Sequence, residues 1–410
     1  MKTMILPMLL PMILLIGIVF AGHDCDNEQT EPLTESQFES QTAETQQRTD
    51  FVFALFRAVV KDNASENITV SPYGAEQVLD LVRIGASGDT RAEIEQVLGR
   101  TETFQPIASS SDSPLTTAAS LWAQEEFPIL QEYSQTIREQ FGATVGNVDF
   151  VGNLGEAVQQ MNTWCSEKTN RKIPVLFDRL GETTRCVLAG AIYFAADWQT
   201  PFEKDATSDG TFTLTDGTTA TAKIMSRTGP LRYGETDETL AVELPYKNEG
   251  YAMLLLLPRN PADFAKWETE MTLAKWNDIR KTMQEVRIDL RMPRFTAETS
   301  LVLNEPLKQL GMPTAFGNHA DFSQINGQKD LYLSEVRQKA FVTVDETGTE
   351  AAAATGAVGS IKLLQSSKPF YADRPFLYAI VKEDTLLFLG HFVRPPVINS
   401  GLSGEGGSFD

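Results

Sequence analysis

The sequence predicts a single α+β domain over residues 49–396, and three observations predict it. Helical and strand-like patterns mix without the regular alternation of a doubly wound sheet. No Pro/Gly/Ser-rich linker divides the middle of the chain, and no internal repeat is visible. A length of 410 residues would by itself suggest two or three domains. With 42% hydrophobic residues, one large core is within reach.

The elements follow in order. Residues 50–60 (DFVFALFRAVV) read as an apolar helix opened by an Asp cap. Ser71-Pro72 starts a second helix, a Ser cap followed by Pro at the first helical position. Asp89-Thr90-Arg91 opens a third that ends near Gly99, and residues 104–114 (FQPIASSSDSP) are loop-like. Residues 130–141 and 156–168 read as helices, and residues 186–194 (CVLAGAIYF) as a buried strand. Residues 212–225 hold a hairpin around Asp216-Gly217. Residues 240–257 hold two strands, of which the run 253–257 must lie inside. Residues 286–292 (VRIDLRM) alternate like a half-buried strand. Residues 331–345 contain a long extended segment with Ala340, Val342 and Val344 on one face, and residues 376–381 and 386–391 are paired strands. On this reading helices come first and strands later.

The ends differ from the middle. Lys2, the apolar run 4–20 and the small residues Ala21-Gly22 read as a secretory signal over residues 1–21. An uncleaved anchor is the rival reading, opposed by Pro7 and Pro11, and a lipoprotein at Cys25 is disfavoured by His23 and Asp24. Residues 22–48 are rich in Glu, Gln and Thr and too poor in apolar groups to offset ordering entropy, so a flexible tail is expected there and again over 397–410. Cys165 and Cys186 could pair in an oxidising compartment, or stay separate thiols. Asn63-Ala64-Ser65 and Asn67-Ile68-Thr69 are glycosylation sequons, meaningful only in a eukaryotic source.

Net charge is −20, with no Lys/Arg cluster, so neither nucleic acid nor heparin is an expected partner. Only three histidines exist, His23, His319 and His391. There is no G-x-S-x-G elbow, no H-E-x-x-H pair, no P-loop and no dinucleotide fingerprint. The sequence therefore marks no catalytic residue, metal site or cofactor, and an enzyme is not expected.

Residues 344–360 (VDETGTEAAAATGAVGS) are the stretch that needs an explanation. The four alanines favour helix, but Gly348, Gly356 and Gly359 do not, and a linker here would cut off only a short remnant. On a period of two, one face carries Thr349, Ala351, Ala353, Thr355, Ala357 and Gly359, none bulkier than Thr. Such a face can enter the middle of a sheet without overpacking it.

Residues 345–355 (DETGTEAAAAT) resemble the reactive-loop hinge of inhibitory serpins, and residues 370–380 (FYADRPFLYAI) resemble that family's C-terminal signature. Ser71-Pro72-Tyr73, Ala191-Ile192-Tyr193-Phe194 with Trp198 and Pro201-Phe202, and Met292-Pro293-Arg294-Phe295 are similar too. They lie in family order over residues 50–396.

The resemblance implies one domain of three β-sheets and eight or nine helices with an exposed reactive loop, about residues 346–370. It implies a suicide substrate. A serine protease cuts the loop and forms an acyl-enzyme, and the hinge inserts into the main sheet as a new strand. The hinge is Glu346, Gly348, Thr349, Glu350, Ala351, Ala352, Ala353, Ala354 and Thr355. Family spacing from Glu346 presents Lys362, so the bond attacked is Lys362–Leu363 and the target is trypsin-like. Alternatively Lys362 is a solvated lysine and Leu363 or Leu364 is the bait, which suits chymotrypsin-like or subtilisin-like enzymes.

Arg294 matches a basic residue that pairs with the hinge glutamate beside Trp198. A Ser, Asn and His cluster common below the opening sheet has Gly74, Gly190 and Gln338 in its place, so that polar network is expected to be absent. The loop at 104–114 replaces the helix that binds heparin in many members, so no glycosaminoglycan cofactor is expected, and a bacterial-type, monomeric, secreted or periplasmic protein is. The alternative function is a non-inhibitory serpin that binds, stores or chaperones.

Overall fold

Most of the sequence-predicted elements form, and the local reasons are visible. The computed structural model describes residues 50–107, 113–181, 183–349 and 366–396, all in one compact unit. Helix α1 spans residues 50–60, with Asp50 already helical. Helix α2 (Pro72–Gly85) has Pro at its first position, and its N-cap Ser71 Oγ accepts from Gly74 N at 2.9 Å. Helix α3 (Gly88–Leu98) ends on Gly99, whose φ of 65° is the left-handed conformation that stops a helix. Then come α4 (Gln131–Phe141), α5 (Leu154–Lys168), α6 (Phe264–Thr269), α7 (Leu273–Thr282), α8 (Asn304–Leu310) and α9 (Ser323–Asn326). The described residues flanking the gap at 108–112 are irregular.

The strands are β1 (Ile68–Val70), β2 (Leu115–Gln124), β3 (Thr144–Val148), β4 (Cys186–Phe194), β5 (Ala196–Asp197), β6 (Ser208–Thr213), β7 (Thr219–Glu235) and β8 (Thr239–Pro245). They continue with β9 (Tyr251–Pro258), β10 (Gln284–Pro293), β11 (Phe295–Val302), β12 (Glu335–Val344), β13 (Gly348–Thr349), β14 (Lys368–Tyr371), β15 (Phe376–Lys382) and β16 (Thr385–Phe392). Strands β2, β3 and β11 and helices α6 to α8 have no counterpart among the sequence-based expectations. The order of helices first and strands later does not hold either, because β2 to β4 interleave with α4 and α5.

The main sheet runs β3-β2-β4-β12, with β11 on the far side of β12. Strands β4 and β12 are parallel and paired from Val187/Glu335 to Phe194/Val342. One face of this sheet packs into the core that includes α2, with Val336, Ala340, Val342 and Val344 pointing in. The other face is covered by α5, through Trp122, Trp164, Ala189 and Tyr193. The chain returning from α5 is fastened by Asn162, whose side chain bonds the backbone of Leu176 and Phe177. Lys339 of β12 donates to the Val175 carbonyl at 2.8 Å.

A second hydrogen-bonded network runs β1-β16-β15-β9-β8-β7-β10-β14, with β6 on β7. Strand β7 divides it: β10 pairs with most of its length, whereas β8 meets only Arg232–Glu235. Two strand groups thus share β7, and with the main sheet they make the three sheets that the resemblance implies.

Cys165 and Cys186 are both free and buried, which settles the choice between a disulfide and separate thiols. Burial pushes each thiol up to about 12, so neither is a reactive nucleophile near neutral pH.

Candidate functional site

The site lies at the top of the main sheet, where β4 and β12 diverge. Past Val344 the chain makes a tight turn: Asp345 Oδ1 accepts from Thr347 N at 2.8 Å and Gly348 N at 3.1 Å, and Asp345 N donates to the Gly348 carbonyl. It then re-enters the sheet as β13. Thr349 pairs with Val344 on one side and Ala196 on the other, and Gly348 pairs with Asp197, all antiparallel. The hinge has therefore begun a strand between β12 and β5.

The described hinge residues, Glu346 to Thr349, are each held. Trp198 N donates to the Thr347 carbonyl, and its indole Nε1 to the Asp345 carbonyl, both at 2.9 Å. Phe202 N donates to the Glu346 carbonyl at 2.7 Å. Tyr246 stacks on Trp198 with centroids 4.5 Å apart, and its hydroxyl meets Thr349 Oγ1 at 2.7 Å. Burial raises the Tyr246 hydroxyl well above its usual range, so it stays protonated. Thr349 is fully buried, and a Cβ on Gly348 would come 2.1 Å from the Ala196 carbonyl oxygen. Only glycine fits at that point.

Arg294 and Glu346 stand 3.7 Å apart. Glu346 is buried and Arg294 half exposed, so the pair orients the turn more than it stabilises it. Tyr246 is absent from the residues singled out by sequence. It follows Pro245 at the end of β8, and only tertiary folding brings it under the hinge.

Below, Gln338 and Gly190 are register partners across the β4–β12 seam. The expected absence of a polar network is corrected here. The Gln338 amide clasps the backbone of Ser71, accepting from its N at 2.8 Å and donating to its carbonyl at 2.7 Å. Ser71 Oγ in turn donates to the Leu387 carbonyl at 2.6 Å. Cβ atoms at Gly74 and Gly190 would sit 3.3 Å from Gln338 Nε2 and 3.1 Å from Val78 Cγ1. A side chain at Gly74 would press on the longer glutamine, which accounts for a Gly beside a Gln. The clasp joins β12 to α2, not to β4.

Glu350 to Thr355, Lys362, Leu363 and Leu364 lie outside the described residues. His391 is buried with its ring nitrogens 2.6 Å from Glu268 Oε1 and from the Glu66 carbonyl, and His319 is exposed on the surface. Neither is placed as a catalytic base. Among the described residues no group of His, Cys, Asp and Glu could hold a metal. A cleft of about 780 Å³ beside α1 and α3 is lined by charged residues, Arg57, Glu95 and Arg100 among them, and by apolar ones, Phe51, Val97 and Leu310.

Residues 46–395 match the family model described as serpin (serine protease inhibitor). The leukocyte elastase inhibitor of Sus scrofa is 33% identical over 371 residues, covering 85% of this chain and 98% of that protein. Among solved structures, Serpin48 of the insect Tenebrio molitor is 29% identical, with a TM-score of 0.78 over 87% of this chain and 99% of its own. Human thyroxine-binding globulin complexed with its hormone is 25% identical, with a TM-score of 0.77 over 86% of this chain and 98% of its own. The hinge at the head of the main sheet, the strand order around it and this match over most of the chain place the protein in the serpin family.

Proposed function

We propose that this serpin is a single-use inhibitor of serine proteases that traps its target by inserting the cut hinge between β4 and β12. The observation that carries the reading is β13, a two-residue strand already paired with β12 on one side and, on the other, with β5, the two residues that follow β4 in the chain after Ala195. Extending its register sets Ala351 against Val342 and Phe194, Ala353 against Ala340 and Ile192, and Thr355 against Gln338 and Gly190. These are the same β4–β12 pairs that now face one another. The inward face then carries only Thr and Ala, at a level where β4 has a glycine. About twelve inserted residues span on the order of 40 Å, enough to carry a bound protease the length of the sheet.

Lys362 as the presented residue makes trypsin-like enzymes the target class. A carrier role is the second reading, because one structural relative is a thyroxine-binding globulin. The small hinge face favours inhibition. A secretory signal over residues 1–21 and a monomeric, cofactor-free mode of action complete the proposal; residues 1–21, 22–48 and 397–410 lie outside the described residues. Among the described residues no helix is long and apolar enough to cross a membrane.

Mixed with trypsin, the protein is expected to give a band near the summed mass on a denaturing gel, with a released fragment beginning at Leu363. A fragment beginning at Leu364 or Gln365 moves the bait to a leucine and the target to chymotrypsin-like or subtilisin-like enzymes. Cleavage without complex by trypsin, chymotrypsin and subtilisin at every ratio overturns inhibition.

A further inference from the structure

The cleft beside α1 and α3 has no part in loop insertion, and its wall is graded from buried to exposed. Phe51, Val97 and Arg100 are buried, Arg57 and Leu310 are half-buried, and the rim residues Asp50 and Glu102 are exposed. Its volume of about 780 Å³ is in the range of small-molecule sites.

Arg100 is under-bonded for so buried a cation. Its side chain is only 6% exposed. Nη1 donates to Asp80 Oδ1 at 3.1 Å and to the Glu102 carbonyl, but Nε and Nη2 have no hydrogen-bond partner. Nε lies 3.7 Å from Glu76 Oε2, beyond hydrogen-bond distance. Asp80 already serves two other donors, Arg83 Nε and Phe104 N, both at 2.6 Å. A buried donor without an acceptor is costly, so the two open nitrogens mark a place for one. Arg57 is the second guanidinium on the cleft. Its Nη1 donates to the Met271 carbonyl at 2.8 Å, and burial lowers its pKa although Asp50 pulls the other way. Glu95 does not cancel these cations, because Arg83 Nη1 at 3.2 Å and Arg91 Nε at 2.9 Å already pair with it.

We propose that this cleft binds a small monocarboxylate with a short aliphatic chain. The carboxylate supplies the missing acceptor to Arg100 and pairs with Arg57, and the chain lies on Phe51, Val97 and Leu310. Asp50 and Glu102 at the rim repel a ligand that carries a second negative charge. The site shares no residue with the hinge and stands whether or not the protein inhibits a protease.

The test is binding of hexanoate to the intact protein, read by calorimetry and by melting temperature at an ionic strength fixed with sodium chloride. Hexanamide, with the same chain and no charge, and adipate, with a second carboxylate, are the comparison probes. Hexanoate at about 10 mM is expected to raise the melting temperature by about 2 °C, and the other two probes to leave it unchanged. Arg57→Gln is expected to weaken hexanoate about tenfold, because it removes a charge-assisted pair. Arg100→Lys keeps the charge but loses the planar fork, and is expected to weaken it by about as much. If Arg100→Lys does not fold, Arg57→Gln decides alone. No effect of hexanoate, an equal effect of hexanamide, or parent affinity in the folded variants overturns the site. Adipate bound as tightly as hexanoate overturns the monocarboxylate class.

Discussion

Thr349→Arg is expected to turn the protein from an inhibitor into a substrate. Thr349 is fully buried at the start of β13, with its hydroxyl on Tyr246. Its side chain points to the same face as Val344, its partner in the ladder, into the core. An arginine there must either bring an unpaired guanidinium beside Trp198 and Tyr246 or hold the hinge outside. A buried charge without a partner costs about 3–5 kcal/mol, which slows insertion by more than about a hundredfold. Deacylation then wins, and the protease leaves with the loop cut. The expected gel shows cleaved inhibitor and less than about a tenth of the parent's complex. Thr349→Val is the control, because it keeps the shape and loses one hydrogen bond of about 1 kcal/mol. It should retain most of the complex. Undiminished complex from the arginine variant would contradict insertion at this point.

Gly348→Val is expected to have an effect of similar size by a different cause. A Cβ there would lie 2.1 Å from the Ala196 carbonyl oxygen and 2.5 Å from Asp197 Cα. Both are backbone atoms of β5 and cannot swing aside as a side chain would. The two-residue strand must leave the sheet, taking Thr349 off Tyr246 and the turn off Trp198. Tryptophan emission should shift to the red as Trp198 gains solvent, before any protease is added. Insertion meets the same clash, so complex yield should fall by about tenfold or more, since overpacking of this kind costs 1–3 kcal/mol or above. An emission spectrum and complex yield unchanged from the parent would mean that β13 is not the resting position of the hinge.

Much of this was legible in the sequence because local chemistry wrote it there. The Ser71-Pro72 start of α2 and the uninterrupted apolar strand β4 carry their own signals, and the structure sets both at those residues. Strand β2 was not legible, because most of Leu115–Gln124 is small or polar, with Leu115, Leu121 and Trp122 the exceptions, and the sheet around it buries it through most of its length. Strand β11 has a clear period of two, burying Phe295, Ala297, Thr299 and Leu301, and could have been found. Helix α7 likewise shows Leu273, Trp276 and Ile279 on one face behind a Thr272 cap. In the site, Glu346, Gly348, Thr349, Trp198 and Arg294 were reached through family resemblance. Tyr246 was not, since nothing local links the end of β8 to a hinge about a hundred residues away. Gln338 differs from the expectation for a physical reason: its amide reaches the Ser71 backbone and bonds both its N–H and its carbonyl, which the residue type alone does not announce.

The most direct test of insertion needs no knowledge of the physiological target. The loop is nicked between residues 360 and 365 by any protease that will cut it there, the products are left together, and thermal unfolding is compared with that of intact protein. A strand added to the middle of the main sheet gains two ladders of backbone hydrogen bonds and buries the Thr and Ala face. The melting temperature is then expected to rise by about 20 °C. A nicked protein that melts at or below the temperature of the intact one would show that the hinge stays out of the sheet, and would contradict the account.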